Sequence, residues 1–412
     1  MKKVLVIGYV WPEPKSSAAG SHMMSILRLF KQQDWQVEFA TPSQPTEHMI
    51  DLADEGISSQ SIRLNCDSFD TYISEYQPDI VLFDRFMMEE QFGWRVESHC
   101  PTALKILDTE DLQCLRQARQ QACKAGRELT QADLFSDLAK REIAAILRCD
   151  MSLIISSFEM DLLVDTFKVD ASLLHYLPFM VDVEKCPSET TAFSDRKHFM
   201  TIGNFRHAPN WDMVLYLQKI WPQIKQQVPK AECHIYGAYP PPKATALNNP
   251  KTGFLIKGWA EDVFTVMEQY RLCLAPIRFG AGIKGKLLDA MIAQTPSITS
   301  SVGSEGMHQQ EPWPGVITDD VTEFVESAVK LYNDEQEWVS AQQNGIALLK
   351  ARYDGRLPAA RLIAKINAVG EDLVQHRLNN FTGGMLKHHS MMSTKYMSQW
   401  IAAKNSNTTQ NN

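Results

Sequence analysis

The chain of 412 residues is long enough for two or three domains at about 150 residues each. Hydrophobic residues make up 44% and charged residues 22%, the balance of a globular protein and not of a disordered, collagen-like or coiled-coil chain. Lys and Arg number 41 against 49 Asp and Glu, a net charge of −8, which argues against a general polyanion binder and leaves room only for a local basic patch.

No apolar run is long enough to span a membrane. Met1-Lys2-Lys3 followed by VLVIGYVW imitates a signal peptide, but Pro12, Glu13, Pro14 and Lys15 interrupt the approach to a cleavage site, so a buried first strand is the better reading. Cysteines 66, 100, 114, 123, 149, 186, 233 and 273 form no CxxC pair or metal-like spacing. Their scatter suggests reduced thiols, a cytoplasmic location and no metal.

Short apolar runs then alternate with amphipathic stretches, the pattern of an α/β protein with parallel sheets covered by helices. Strands are expected at 4–7, 37–40, 79–83, 103–107, 152–155 and 173–177, with helices near 20–33, 88–97, 128–148 and 157–166. A polar stretch follows Pro178–Asp182, and the alternation restarts with strands at 198–202, 231–236, 254–257, 271–275, 297–300 and 315–318. Helices are expected at 209–228, 261–269, 284–294 and through 321–368. In the first of these, Val214, Leu217, Trp221, Ile224 and Val228 recur every three or four residues and mark one buried face. The division is a first domain at 1–182, a linker at 183–197, a second domain at 198–365 and a helical tail at 366–412.

Doubly wound sheets bind ligands at the carboxyl ends of their strands. That rule selects Gly8, Asp84, Arg85 and Asp108–Asp111 in the first half, and Gly203–Arg206, Gly237, Pro276–Arg278 and Gly303–Gly306 in the second. The most informative stretch is Pro276-Ile-Arg-Phe-Gly-Ala-Gly-Ile-Lys-Gly-Lys-Leu-Leu-Asp289, a strand running through a glycine-rich loop into a helix. Gly280, Gly282 and Gly285 let backbone N–H groups approach an anion, and the helix N-terminus adds partial positive charge. Lys284, Lys286 and Arg278 supply full charges for a diphosphate, and Asp289 shares a face with Lys286, where a carboxylate can accept hydrogen bonds from sugar hydroxyls. The alternative is a solvated Lys–Asp pair with glycines serving only the turn. The stretch is neither a dinucleotide fingerprint, since only Gly8 follows the first strand, nor a P-loop.

These residues resemble GT-B fold glycosyltransferases, in particular the retaining group 1 family, glycosyltransferase family 4. The second half carries the resemblance in Gly203-Asn-Phe-Arg206, Trp221-Pro, Ile235-Tyr-Gly237, Gly258-Trp259 and the stretch from 276 to Glu305-Gly306. In the first half, Ser17-Ala-Ala-Gly20 resembles the loop that contacts donor phosphate and acceptor, and Arg141-Glu142, Ser156-Ser157 and Glu159 resemble the element leading to the hinge.

The resemblance implies two Rossmann-like domains facing a cleft, a C-terminal helix returning to the first domain, and a UDP- or GDP-sugar as donor with no obligatory cofactor or metal. Lys286, Lys284 and Arg206 would neutralise the departing diphosphate, and Asp289 would hold the ribose. Gly237, Gly258 and Trp259 would border the base. Gly20, Gly203, Arg278, Gly282 and Glu305 complete the donor set, and Asp108 and Glu110, or Asp84, would orient the acceptor. The first acid of the family's Glu-x7-Glu pair is missing, because Ala281 stands there.

The acceptor is left open among glycan, lipid, protein and tRNA. A sugar-nucleotide epimerase of the same fold, or a nucleotide-sugar-binding protein without catalysis, is the alternative. His388-His389, Met391, Met392, Lys395, Tyr396, Met397 and Trp400 read as a docking helix, with metal or phosphate binding as the rival. Arg116, Arg119, Lys124 and Arg127 read as charge on a solvated helix, with a weak contact to an anionic membrane surface as the other reading.

Overall fold

The computed structural model of the protein describes residues 1–186 and 191–409, without the side chains of 389–394 and 406–409. Part of the expected linker, residues 187–190, lies outside the described residues, as do the side chains of His389, Met391 and Met392.

The first half folds on strands β1 (Lys3–Ile7), β2 (Gln36–Thr41), β3 (Ser58–Ser61), β4 (Ile80–Asp84), β5 (Leu104–Asp108), β6 (Met151–Ile154) and β7 (Leu174–Tyr176). They form one parallel sheet in the order β3-β2-β1-β4-β5-β6-β7. The second half adds β8 (Lys197–Ile202), β9 (Cys233–Tyr236), β10 (Phe254–Gly258), β11 (Tyr270–Ala275), β12 (Ser297–Thr299) and β13 (Gly315–Ile317). Their order, β10-β9-β8-β11-β12-β13, repeats the same winding with every pairing parallel. Each sheet reverses direction beside its first strand, so the crevices open at β1/β4 and at β8/β11.

The expected strands and helices form, because runs such as VLVI and LCLA bury both faces of a central strand between helix layers. Several short elements escaped the reading, β3 and the helix Ser68–Tyr76 among them. Strand β3 reads SSQS and is exposed throughout, so it carries no apolar signal. The helix Ser68–Tyr76 buries only Phe69 and Ile73. The helix expected over 128–148 is two, Gln131–Leu134 and Asp137–Arg148, the second capped by Ser136.

The chain crosses back to the first domain at Tyr353. Val181 N donates to Tyr353 O (2.8 Å) and Gly355 N to Val181 O (2.9 Å). A side chain at Gly355 would collide with Met180, so the strands cross only with glycine there. The helix Arg356–Glu371 then buries Leu362, Ile366 and Val369 against Val4, Val6 and Leu27 of the first domain. The last helix, Phe381–Thr409, lies on the helices Phe86–His99 and Asp137–Arg148. Among the described residues no helix is long and apolar enough to cross a membrane.

Candidate active site

The glycine loop after β11 and the loop after β1 meet face to face. A Cβ on Gly285 would lie 2.3 Å from the Cβ of Ala18, so only a bare backbone lets the two loops touch. Gly282 has φ +62° and packs on Asp111, whose Cβ would be 2.9 Å from an added Cβ. Its N–H donates to Glu159 Oε1 of the first domain at 2.8 Å.

Helix Gly285–Ile292 starts at this loop and presents its N-terminus to the cleft. Lys286 Nζ donates to Asn210 Oδ1 (2.6 Å), and Lys284 Nζ to Gly282 O (2.7 Å). Both acceptors are neutral, and among the described residues neither ammonium has a carboxylate within 4.0 Å. Burial pushes both lysines down to about 8, with Glu305 pulling Lys284 the other way and Cys273 doing the same for Lys286. Lys286 keeps some solvent contact at its surface even though protein surrounds it. Asp289, one turn on, is pushed up to about 7 by burial, against the pull of Lys286.

The remaining expected donor residues divide. Gly203 lies against Asn210, the partner of Lys286, and Gly237 packs on the Gly203 carbonyl. Gly20 lies in the first turn of the helix Ala18–Gln32, which Ser17 caps by accepting from the Gly20 N–H. The Arg206 guanidinium covers the Tyr239 ring at 3.5 Å. Gly258 ends β10, and Trp259 beyond it stacks on His48 of the first domain (4.6 Å, 17°) while donating to Lys15 O. Two residues are held in ion pairs. Arg278 is paired with Asp212 (Nε–Oδ2 2.9 Å) over the Tyr216 ring of the helix Ala208–Gln227, so its guanidinium is engaged by a carboxylate. Glu305 accepts both amino groups of Arg119 at 2.7 Å, and Arg119 also donates to Gly280 O. Arg119 is thus a clamp between the domains and not a solvated charge. Arg116 and Arg127 are likewise paired, with Asp111 and Asp133.

The opposite mouth is acidic. Asp84 and Asp108 end neighbouring strands in register. Burial, then the charge of Asp84, pushes Asp108 up to about 7. Glu110, at φ +61°, is raised well above the ordinary carboxylate range by burial and by Asp108. Arg85 lies among them, its charge held by Asp84 once burial is overcome.

Three residues of this cleft carry no strong local motif. His22 is buried with its Nε2 3.8 Å from Asp108 Oδ1, and neither ring nitrogen has a hydrogen-bond partner among the described residues. Burial alone holds it down to about 4, so it is a neutral imidazole. Glu13 accepts from Ser16 (2.7 Å), Thr46 (2.6 Å) and Tyr239 (2.9 Å), tying two first-domain loops to the second domain. Glu159, fully buried, accepts from Leu112 N and Gly282 N and is pushed up to about 8, first by burial and then by Asp111. The available hints of these roles were their position beyond the strand ends and, for Glu159, its place in the element that resembles the hinge segment.

Residues 196–334 match the family model described as Glycosyl transferases group 1. The fold is similar to that of S. aureus TarM in a complex with fondaparinux, alpha-GlcNAc-glycerol and UDP (TM-score 0.67, 10% identity, 92% of this chain and 100% of that one). Anabaena Alr3699/HepE, in complex with UDP and glucose, is similar at TM-score 0.68 and 10% identity, over 89% of this chain and 100% of that one. Sucrose-phosphate synthase from Thermosynechococcus elongatus gives 0.66 and 14%, over 90% and 99%. No curated protein matches the sequence. The whole chain has the two-domain GT-B fold, and with a group 1 glycosyl transferase domain in its second half it is a glycosyltransferase.

Proposed function

We propose that the chain transfers a sugar from a nucleoside-diphosphate sugar to an acceptor with retention of anomeric configuration, in the manner of glycosyltransferase family 4. The observation that carries this is the pair Lys284 and Lys286 at a helix N-terminus in the cleft, hydrogen-bonded only to neutral oxygens. Among the described residues the nearby carboxylates, Glu305 for Lys284 and Asp289 for Lys286, act from beyond 4.0 Å; a buried ammonium without a contacting anion is costly, and an incoming diphosphate supplies that contact.

In the transition state positive charge spreads over the sugar ring while negative charge builds on the departing phosphate. Fixed cations and N–H groups at the phosphate therefore stabilise the transition state more than the bound donor. Asp289 accepts from the ribose, while Gly237, Gly258 and Trp259 border the base. The acidic mouth of Asp84, Asp108 and Glu110 orients the acceptor hydroxyl, with His22 beside Asp108 as a further polar contact. The hydroxyl proton passes to the departing phosphate oxygen on the same face, so no separate side-chain base is needed. The eight cysteines are free thiols, which suits a cytoplasmic enzyme.

The UDP complexes of TarM and HepE make UDP-sugars the first donors to test, and GDP-sugars the second. Purified protein is incubated with each donor, with and without acceptor mixtures, while nucleoside diphosphate release and the anomeric NMR signal of the product are followed. Release with retained configuration is expected. An inverted product rejects retention, an epimerised donor in the absence of acceptor selects the epimerase, and silence with every donor rejects transfer.

A further inference from the structure

At the far end of the first sheet from the cleft, the C-terminal return borders an open cavity of about 410 Å³. Glu97, Asp150, His376, Arg377, Lys387 and His388 line it, and Lys105, at the start of β5, stands behind Glu97. Its charges do not balance. Arg377 consumes Asp150 completely, with Nε to Oδ1 at 2.7 Å and Nη2 to Oδ2 at 2.8 Å, and also donates to the Pro101 and Ala103 carbonyls. Asp150 further accepts from Lys105 N (2.8 Å). Glu97 is left to serve two ammonium groups, in contact with Lys105 and 3.8 Å from Lys387.

The tail offers no remedy, because residues 373–412 contain no Asp or Glu. Lys105 registers the deficit, since burial and then the charge of Lys387 bring its ammonium down to about 7. His376 donates to the Asp150 carbonyl at 2.6 Å, and His388 stands at the exposed rim. A cavity of this volume takes a ligand of sugar-phosphate size, and two ammonium groups sharing one carboxylate favour a dianion over a monoanion.

We propose that this cavity is a binding site for a phosphate monoester, held by Lys387, with Lys105 behind Glu97 adding positive charge, and separate from the cleft. The same chemistry has two sources, a soluble sugar phosphate or a phosphate headgroup at a bilayer. Phe381 and Met385 stand exposed at the start of the last helix, next in sequence to Asn380 and Gly384 of the cavity lining.

Calorimetry with inorganic phosphate and glucose 6-phosphate, and co-sedimentation with phosphatidylcholine vesicles with and without phosphatidic acid, separate the sources. Saturable binding of the soluble ester, or of the phosphatidic acid vesicles alone, is expected. Lys387→Ala should weaken it roughly ten-fold or more, the loss of one charge-assisted contact. Lys387→Arg should restore most of it, and Lys286→Ala, which alters the cleft, should leave it unchanged. Circular dichroism checks that each variant is folded. No saturable binding of any probe, binding indifferent to Lys387→Ala, or binding abolished by Lys286→Ala would overturn the site. Binding is the readout, so failure here leaves the transferase reading standing, and failure of transfer leaves this site standing.

Discussion

The two mouths of the cleft are built by the same winding and carry opposite charge. At β8/β11 the loops present Lys284, Lys286 and helix N–H groups; at β1/β4 the strand ends present Asp84, Asp108 and Glu110. The cationic side has neutral hydrogen-bond partners, and on the acidic side burial pushes Asp108 and Glu110 toward neutrality. On the proposed reading, one fold supplies a place for a diphosphate and, facing it, a place for the acceptor. The asymmetry comes from side chains grafted at equivalent positions and not from the sheets.

The sharpest way to break this comparison is Lys286→Ala. Turnover should fall about 10²–10³-fold, the scale for losing one preorganised donor, with the circular dichroism spectrum unchanged. Wild-type turnover would remove the diphosphate role from the second mouth. Next comes Asp108→Asn, which should lower kcat/KM for the acceptor about 10–100-fold and leave slow donor hydrolysis intact; equal losses in both reactions would place Asp108 on the donor side instead.

The clamp joining the mouths is the third target. Arg119→Ala leaves Glu305 half-buried without its partner, at a cost of roughly 1–3 kcal/mol to the closed arrangement. A larger radius of gyration in solution scattering and a raised donor KM are expected, and unchanged scattering would deny that the pair holds the domains together.

A fourth experiment titrates the two mouths. Lys284 and Lys286 bind an anion as ammonium groups, so nucleoside diphosphate affinity should be full below pH 8 and decline as the pH rises through about 8. Without ligand the sign reverses. Burial favours the neutral amines, the unfolded chain holds more protons between about 8 and the ordinary lysine value, and stability contributed by these groups rises across that window. On the acidic side, activity needing ionised Asp108 should rise through about pH 7, and Asp108→Asn should flatten that limb. Proton uptake on binding at pH 8.5, measured in two buffers of different ionisation enthalpy, checks the first sign; proton release would contradict it. The smallest effect is expected for Arg278→Ala, under two-fold in kcat/KM, because its guanidinium is spent on Asp212.

Much of the frame was legible before any coordinates. Runs such as VLVI and LCLA can only be buried parallel strands, and the glycines at 280, 282 and 285 mark a backbone that something must approach closely. Strand β3 was invisible because an exposed edge strand needs no apolar residues. His22 was invisible as a site residue because it sits in a helix where a buried polar side chain has no periodicity of its own, and Glu159, though part of the element that resembles the hinge segment, gave no sign of its bond to Gly282.

Local order of apolar, glycine and basic residues determined the two windings and the cationic loop, since both depend on neighbours a few positions apart. Tertiary structure alone decided that Arg119 reaches Glu305 across 186 residues, that Glu159 takes the Gly282 N–H, and that Arg278 pairs with Asp212. Those choices depend on how two separately wound sheets close on each other, and long-range ion pairing leaves no trace in the spacing of the residues that make it.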